Sequence, residues 1–356
     1  MEPYPYPLSV APMMEVTDRH WRYFARGLTR ETLLYSEMYV DQTLIHAKSL
    51  RPFLGHRPEE VPVAVQLGGN DPESLAKATE LVVSHFGDAC VELNLNCGCP
   101  SHAVAAKNCF GARLMLDPSL VRRCVSEMRR RSPVPVTVKH RLGTDLGGAD
   151  YDTTLGFVRE VSRGGARHFV VHARMAILGR RISTEQNRTV PPLLPDVAHR
   201  LAEDLPDCTF AINGGLASLE DCALHLRDPN LASAMIGRAA WTRPCKLLAT
   251  ADTTFFGKKT DPGGTLADLV YRYADYADDR FADTLDDPRA LFRPLYYAFA
   301  GDRGAKQFRI RLVDAARRLS HREDRPPSDH IADALRAAIP SHVLDRHLCV
   351  QREDDN

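Results

Sequence analysis

Short runs rich in β-branched residues alternate with longer segments of helical periodicity between Leu8 and Gly237. Helical segments between these runs include Asp71–Phe86, which opens with Asp-Pro, and Ser119–Arg131, which follows another Asp-Pro pair. Such alternation indicates a parallel sheet covered by helices, and therefore the α/β class. The eight predicted strands are Leu8–Met13, Leu33–Met38, Val61–Leu67, Cys90–Asn96, Val134–Arg141, His168–Ala173, Cys208–Asn213 and Leu231–Gly237.

Two α/β architectures accommodate this pattern, a closed (β/α)8 barrel of the TIM type and an open doubly wound sheet. The strand ends distinguish them, because the carboxyl ends of all strands in a barrel face one mouth. Those ends include Gln66, Asn96, Lys139, His172 and Asn213. Polar groups at the ends of apolar strands are costly unless they share a polar pocket. We therefore predict a TIM barrel with its chemistry at the mouth.

The alternating pattern stops at a segment rich in glycine and lysine, Phe256–Thr265, which is typical of a linker. Residues 266–320 are helical in character, and a last helix is predicted from about Asp329 to Ala338. The chain has 356 residues, which suits one barrel of roughly 250 residues and a smaller domain. We predict a barrel domain over residues 1–256 and a C-terminal helical domain over residues 265–348.

Composition limits the class of protein. Lys plus Arg and Asp plus Glu both total 46, so nucleic-acid binding would have to depend on a local basic surface. The nine cysteines are odd in number and form no CxxC pairs, which fits a reduced intracellular protein. The first twelve residues lack the features of a signal peptide, and no run of 18 apolar residues occurs. We expect a cytoplasmic protein that is not associated with a membrane.

Glycines follow predicted strands seven and eight, where many barrels bind a phosphate. The two segments are Asn213-Gly214-Gly215 and Gly237-Arg238, in which glycine lets the backbone approach an anion and Arg238 adds charge. The alternative is that the glycines only form tight turns, but their occurrence at both strands favours a phosphate site. Lys139 and His172 would face the same mouth and suit a phosphorylated aromatic cofactor. Gln66 can both donate and accept, as reading a pyrimidine-like edge requires.

A thiol lies in the loop after predicted strand four, within the segment Asn94-Leu95-Asn96-Cys97-Gly98-Cys99-Pro100-Ser101. Cys99 would stand at the barrel mouth, where a thiol can donate a proton as a general acid. The CxC spacing could suggest a metal, but neither a second cysteine pair nor a His-rich partner accompanies it. We therefore predict no metal site.

Motifs spread over residues 8–315 resemble those of the tRNA-dihydrouridine synthase family, most closely its A-type subgroup. The Asn-x-Gly-Cys-Pro segment ending at Pro100, followed by Phe110-Gly111-Ala112, is the most specific of them. The others are Ala11-Pro12-Met13-Met14, Thr17-Asp18-Arg19-His20, Gln66-Leu67-Gly68-Gly69, Val138-Lys139-x-Arg141, His172-Ala173-Arg174, Asn187-Arg188, Pro191-Pro192-Leu193, Ile212-Asn213-Gly214-Gly215 and Gly237-Arg238.

The resemblance implies a barrel that contains FMN. NADPH would reduce the FMN, which would pass a hydride to C6 of a tRNA uridine, while Cys99 would protonate C5. It implies that Pro12, Met13 and Met14 lie against the flavin ring. Gln66, Lys139 and His172 would then bind its polar edge or ribityl chain. The phosphate would be held by Asn213, Gly214, Gly215, Gly237 and Arg238.

The resemblance also implies contacts to tRNA, with uridines 20 and 20a of the D-loop as the expected targets. Asn96 and Arg188 would contact a base flipped out of the stack, and Gly98 and Glu185 complete the expected substrate site. The family's Gly-Ala-Arg-x-x-Arg segment corresponds here to Gly304-Ala305-Lys306-x-x-Arg309. Lys306 keeps the charge of an arginine but loses its bidentate geometry.

The predicted C-terminal helices give local support for RNA binding. Seven basic residues and one acidic residue lie between Arg303 and Arg322, with Arg311, Arg318 and Arg322 at helical spacing. A solvated helix face is the alternative interpretation. Two other functions stay open at this point: an FMN barrel that acts on a small molecule, and a non-enzymatic tRNA-binding protein. We expect a monomer.

Overall fold

The computed structural model describes residues 3–101, 109–179, 182–281, 287–320 and 325–349. Two compact units are present: Met1–Met13 with Leu33–Gly237, and Met14–Thr32 with Arg238–Asn356. The predicted domain limits of 1–256 and 265–348 stay a prediction. No helix in the described ranges is both long enough and apolar enough to cross a membrane.

The first unit is a closed barrel of eight parallel strands that follow one another in chain order. This confirms the α/β class and the TIM barrel. The strands are β1 (Leu8–Val10), β2 (Leu33–Val40), β3 (Val63–Gly68), β4 (Cys90–Cys97), β5 (Val136–Arg141), β6 (His168–His172), β7 (Thr209–Asn213) and β8 (Leu231–Ile236).

Prolines account for three of the differences between the predicted and observed strand limits. β1 ends at Val10 rather than Met13, because Pro12 has no N–H to donate to the sheet. The Ala11 N–H is the last donor there, to the Ile236 carbonyl at 2.8 Å. β3 and β5 likewise begin only after Pro62 and Pro135.

The helices in the described ranges are mostly short, and several begin at a proline. They are α1 (Arg19–Ala25), α2 (Asp41–His46), α3 (Arg51–Leu54), α4 (Pro72–Phe86), α5 (Pro118–Arg131), α6 (Tyr151–Ser162), α7 (Asp196–Asp204), α8 (Leu219–His225), α9 (Arg238–Thr242), α10 (Pro244–Leu248), α11 (Ala251–Phe255), α12 (Leu266–Phe281), α13 (Pro288–Phe292), α14 (Ala305–Ser320), α15 (Pro327–Ala338) and α16 (Ser341–Leu344). Short 3₁₀ helices occupy Pro58–Glu60, Gly87–Ala89, Gly111–Leu116, Gln186–Arg188 and Arg293–Tyr297.

The two Asp-Pro pairs form helix N-termini, as predicted from the sequence. The Asp71 carboxylate accepts from Ser74 N at 2.8 Å at the start of α4, and the Asp117 carboxylate accepts from Leu120 N at 3.0 Å at the start of α5. In both helices proline occupies the first turn, where its missing N–H costs nothing. These caps fix where two of the outer barrel helices begin.

The second unit is helical, and its longest helices bury one apolar face. In α14 the buried residues include Phe308, Leu312 and Leu319, while Arg311, Arg317 and Arg318 are exposed. The Asp252 carboxylate ties the early segment to this unit, since it accepts from Thr29 Oγ1 and from Arg30 N at 2.7 Å. α15 begins at Pro327, two residues before the predicted start.

Candidate active site

The loop that carries Cys99 is held by hydrogen bonds to its backbone. Asn96 Oδ1 accepts from Gly98 N at 3.1 Å and from Cys99 N at 2.9 Å. Arg141 Nε donates to the Gly98 carbonyl at 3.0 Å, and Ala112 N donates to the Cys99 carbonyl at 2.9 Å. The half-buried thiol is therefore positioned without using its own side chain as an anchor.

The Cys99 thiol is surrounded by cations but stays a weak acid. Burial raises its pKa above the ordinary thiol value of 9.0, and this effect outweighs the opposing influence of Arg141, Lys139 and Arg188. The thiol is consequently protonated at neutral pH. A protonated thiol at a barrel mouth can serve as a proton donor.

Lys139 reaches across the mouth from β5 to β7. Its Nζ donates to Asn213 Oδ1 at 2.9 Å, and Asn213 Nδ2 donates to the Met235 carbonyl of β8 at 2.7 Å. Burial, together with the nearby Arg141, lowers the pKa of Lys139 to about 7. The ammonium group is thus close to losing its proton at neutral pH unless an anion arrives beside it.

His172, at the end of β6, is neutral in this environment. Its pKa lies well below 6.5 because it is buried, and because Arg141, Lys139, Arg174 and Arg188 all oppose a further positive charge. The mouth therefore concentrates positive charge, from the buried Arg141 and three half-buried side chains, around a neutral imidazole. Such an arrangement favours an anionic ligand.

The glycines at the ends of β7 and β8 serve different purposes. Gly214 and Gly215 have φ angles of +106° and +77°, which only glycine adopts readily. A Cβ on Gly214 would also stand 2.6 Å from His172 Cδ2. Gly237 is outside that φ range, and the nearest atom to an added Cβ would be Ala11 Cβ at 4.0 Å. The open space beside Gly237 is what a closely approaching ligand needs.

These features fit a phosphorylated flavin. The basic side chains at the mouth match its anionic groups, and the backbone at Gly237 is open to close approach. Pro12 and Met13 are half-buried after β1, whereas Met14 is exposed and belongs to the second unit. Arg238 also belongs to the second unit, as the first residue of α9.

Gln66 is almost fully buried and its amide is engaged on both sides. Its Nε2 donates to Asn94 Oδ1 at 2.8 Å, and its Oε1 accepts from Asn96 Nδ2 at 2.8 Å. The side chain therefore supports Asn96, which in turn holds the Cys99 loop. Its predicted contact with a cofactor stays a prediction.

Arg141 connects three segments around the mouth. Besides the Gly98 carbonyl, its guanidinium donates to the carbonyls of Met175 at 3.1 Å and Asn187 at 2.8 Å. Arg188 is the next residue, half-buried at the end of the 3₁₀ helix Gln186–Arg188. The Arg188 N–H donates to the carbonyl of Glu185, which is exposed. Sequence patterns showed Arg141 only as part of a motif and gave no sign of this clamp.

The predicted RNA-binding residues of the second unit lie at the start of α14. Lys306 is exposed, and the Arg309 guanidinium stands 5.3 Å from the ring centre of Tyr297 in a cation–π contact. Arg322 of the predicted stripe, like Arg180 and Arg181 of the loop after β6, lies outside the described residues. Within the described ranges, no group of three or more His, Cys, Asp or Glu residues is arranged to hold a metal ion.

Comparison with known proteins agrees with this geometry. The family profile described as "Dihydrouridine synthase (Dus)" matches residues 9–311. The chain is 42% identical over 309 residues to a tRNA-dihydrouridine(20/20a) synthase of Synechocystis sp., covering 87% of this chain and 89% of the relative. It is 40% identical to the protein of that name from Vibrio parahaemolyticus, over 94% of this chain and 98% of the relative. A third relative of that name, from Pseudomonas putida, is 45% identical over 70% of this chain and 71% of its own length.

Proposed function

This chain belongs to the dihydrouridine synthase family, whose members reduce uridine in tRNA with a flavin, and we propose that it acts on D-loop uridines 20 and 20a. The observation that carries the reaction is the Cys99 thiol, held in an anchored loop near Arg141, Lys139 and Arg188 at the barrel mouth, and the names of the relatives support the positions. We further propose that the enzyme works as a monomer in the cytoplasm, where tRNA is modified.

FMN is the flavin that suits the site best. Gln66, Lys139 and His172 would bind its polar edge or ribityl chain, and Pro12, Met13 and Met14 would lie against its ring. Asn213, Gly214, Gly215, Gly237 and Arg238 would hold its phosphate. When bound and reduced by NADPH, FMN supplies the hydride that C6 of the uracil ring accepts.

The residues of this chain provide the proton and the binding of the base. Uridine must leave the base stack to reach a barrel mouth, which leaves its polar edge to be bound by protein groups. Asn96 and Arg188 would contact the flipped base beside Cys99, and Gly98 and Glu185 would complete the substrate site. The Cys99 Sγ–H proton would then be transferred to C5, leaving a thiolate that Arg141, Lys139 and Arg188 stabilise electrostatically.

Binding of FMN at pH 8 should take up close to one proton per protein. Lys139 has a pKa of about 7 without the ligand, so it is mostly neutral at pH 8, and a phosphate held by its hydrogen-bond partner Asn213 would restore its charge. At pH 6 the lysine is already charged and the uptake should vanish. Calorimetry in buffers of different ionisation enthalpy measures the proton count, and Lys139→Met should abolish it. Equal proton uptake at both pH values would mean that residues other than Lys139 bind the anion.

Replacing Arg309 by alanine should weaken tRNA binding and reduce the slope of log affinity against log salt by about one. Arg309 lies at the start of α14 with its guanidinium beside Tyr297. Arg317→Ala is the matched control, because Arg317 on the same helix is already paired with Asp314 at 3.2 Å. Filter binding at several salt concentrations measures both slopes. An unchanged slope in Arg309→Ala would identify this face as a solvated surface.

The proposed function is tested by the visible spectrum of the purified protein, recorded anaerobically after adding NADPH and then unmodified tRNA. We expect flavin bands that bleach with NADPH and return with tRNA. Bands that bleach but ignore tRNA would point to a small-molecule oxidoreductase instead. Mapping dihydrouridine in tRNA from cells that lack the gene tests the positions, since loss confined to other positions would contradict 20 and 20a.

A further inference from the structure

Three successive inward positions of β4 carry polar side chains. Glu92, Asn94 and Asn96 alternate along the strand, and their exposed fractions are 2%, 0% and 9%. Barrel interiors are normally filled by branched apolar side chains, and buried polar groups are costly unless they are hydrogen-bonded. Three successive inward positions without an apolar side chain therefore require an explanation.

A continuous chain of hydrogen bonds connects these side chains through two neighbouring strands. Asn96 Nδ2 donates to Gln66 Oε1 at 2.8 Å, and Gln66 Nε2 donates to Asn94 Oδ1 at 2.8 Å. Asn94 Nδ2 donates to Thr137 Oγ1 at 2.7 Å, and this hydroxyl donates to Glu92 Oε1 at 2.7 Å. The chain runs from the Cys99 loop down to the floor of the barrel.

The two ends of this chain of hydrogen bonds determine how every side-chain amide between them is oriented. At the mouth, Gly98 N and Cys99 N can only donate, so Asn96 must present its oxygen to them. At the floor, burial raises the pKa of Glu92, and the hydroxyls of Tyr35, Thr137 and Tyr4 that donate to it oppose this rise by favouring the carboxylate, which can only accept. Tyr35 also donates to Glu92, and Tyr4 donates to it at 2.7 Å, so both carboxylate oxygens meet hydroxyl donors. Hydrogen bonds aligned in one direction strengthen one another.

We propose that Glu92 and Thr137 are positioning residues that act at a distance on the Cys99 loop by fixing the amide orientations of Asn94, Gln66 and Asn96. This inference extends the proposed function, because the loop so positioned carries the proposed proton donor. Without the Thr137 hydroxyl, Asn94 Nδ2 loses its acceptor and the amides above it are free to reverse. A reversed Asn96 would turn an NH₂ group toward two N–H donors and release the loop.

Thr137→Val tests the proposal, since it removes the hydroxyl at nearly constant volume, and Thr137→Ser is its matched control because it restores the hydroxyl. Hydrogen–deuterium exchange of Gly98 and Cys99 amides, measured by mass spectrometry in the FMN-loaded full chain, should accelerate about tenfold in the valine variant. Oxidation of the NADPH-reduced enzyme by tRNA should slow about 10- to 100-fold, with tRNA affinity unchanged. The serine variant should stay within about threefold of the original protein in both measurements.

Wild-type exchange at Gly98 and Cys99 in Thr137→Val would overturn the proposal. So would equal losses in the valine and serine variants, because the hydroxyl would then not be the cause. If Thr137→Val does not fold, Glu92→Gln takes its place. Glutamine keeps the volume of the side chain but replaces a carboxylate, which only accepts, by an amide that also donates. Amide exchange does not depend on the reaction. A wild-type protein that is not oxidised by tRNA would therefore contradict the proposed function, and the exchange comparison would still decide whether the chain of hydrogen bonds holds the Cys99 loop.

Discussion

Replacing Cys99 by alanine should lower turnover on unmodified tRNA by about 10²- to 10⁴-fold, the contribution typical of a positioned general acid. The Cys99 loop is anchored through backbone groups by Asn96, Arg141 and Ala112, so the variant should keep its loop conformation. FMN content and tRNA affinity should accordingly stay at wild-type levels. Single-turnover oxidation of the reduced enzyme by tRNA isolates the affected step.

Cys109→Ala is the control for this experiment, because Cys109 is an exposed thiol and has no role in the proposed chemistry. Its turnover should be unchanged. Full activity in Cys99→Ala would assign the proton to another donor.

The pH dependence of turnover gives a second test of the acid. Burial raises the pKa of the Cys99 thiol above 9.0. The thiol is therefore fully protonated at neutral pH and loses its proton as the pH rises through that raised pKa. The rate should therefore be constant from pH 7 to the ordinary thiol value and decline above it. A decline on the acidic side that disappears in Cys99→Ser would contradict the assignment, because it would mean that the thiolate is the active form.

Much of the fold could be predicted because its signals are local. Runs of β-branched residues gave all eight strands, and the Asp-Pro pairs before α4 and α5 gave two helix starts. The errors at β1, β3 and β5 have a common cause, since Pro12, Pro62 and Pro135 each remove one donor from a sheet that side-chain pattern alone would continue.

The sequence predicted which polar side chains stand at the strand ends but not how they are connected. Strand ends identified Lys139, His172 and Asn213 as neighbours, because parallel strands deliver their carboxyl ends to one mouth. The alternation of Glu92, Asn94 and Asn96 was visible in the sequence, but their partners Gln66 and Thr137 follow from the strand registers of the closed barrel. Likewise, the low pKa of Lys139 results from burial, which the sequence does not encode locally.

Replacing Arg141 by methionine should lower turnover about 100-fold, because it releases the Cys99 loop and the Arg188 segment together. The Arg141 guanidinium donates to the carbonyls of Gly98, Met175 and Asn187, and burial lowers its pKa only to about 10, so it is charged at neutral pH. Losing three charge-assisted hydrogen bonds, less the cost of burying the charge, should also reduce the free energy of unfolding by about 3 kcal/mol. Thermal unfolding and single-turnover oxidation measure the two effects.

Arg141→Lys separates the clamp from the charge. Lysine keeps a cation near Cys99 and Lys139 but has no planar fork to span three carbonyls, so the turnover of Arg141→Lys should stay low.

Arg141 also lowers the pKa of Lys139, and only the methionine variant removes that effect. Proton uptake on FMN binding should therefore begin at a higher pH in Arg141→Met and near the original pH in Arg141→Lys. If Arg141→Met loses stability while turnover and proton uptake are unchanged, the guanidinium serves only to hold the barrel together.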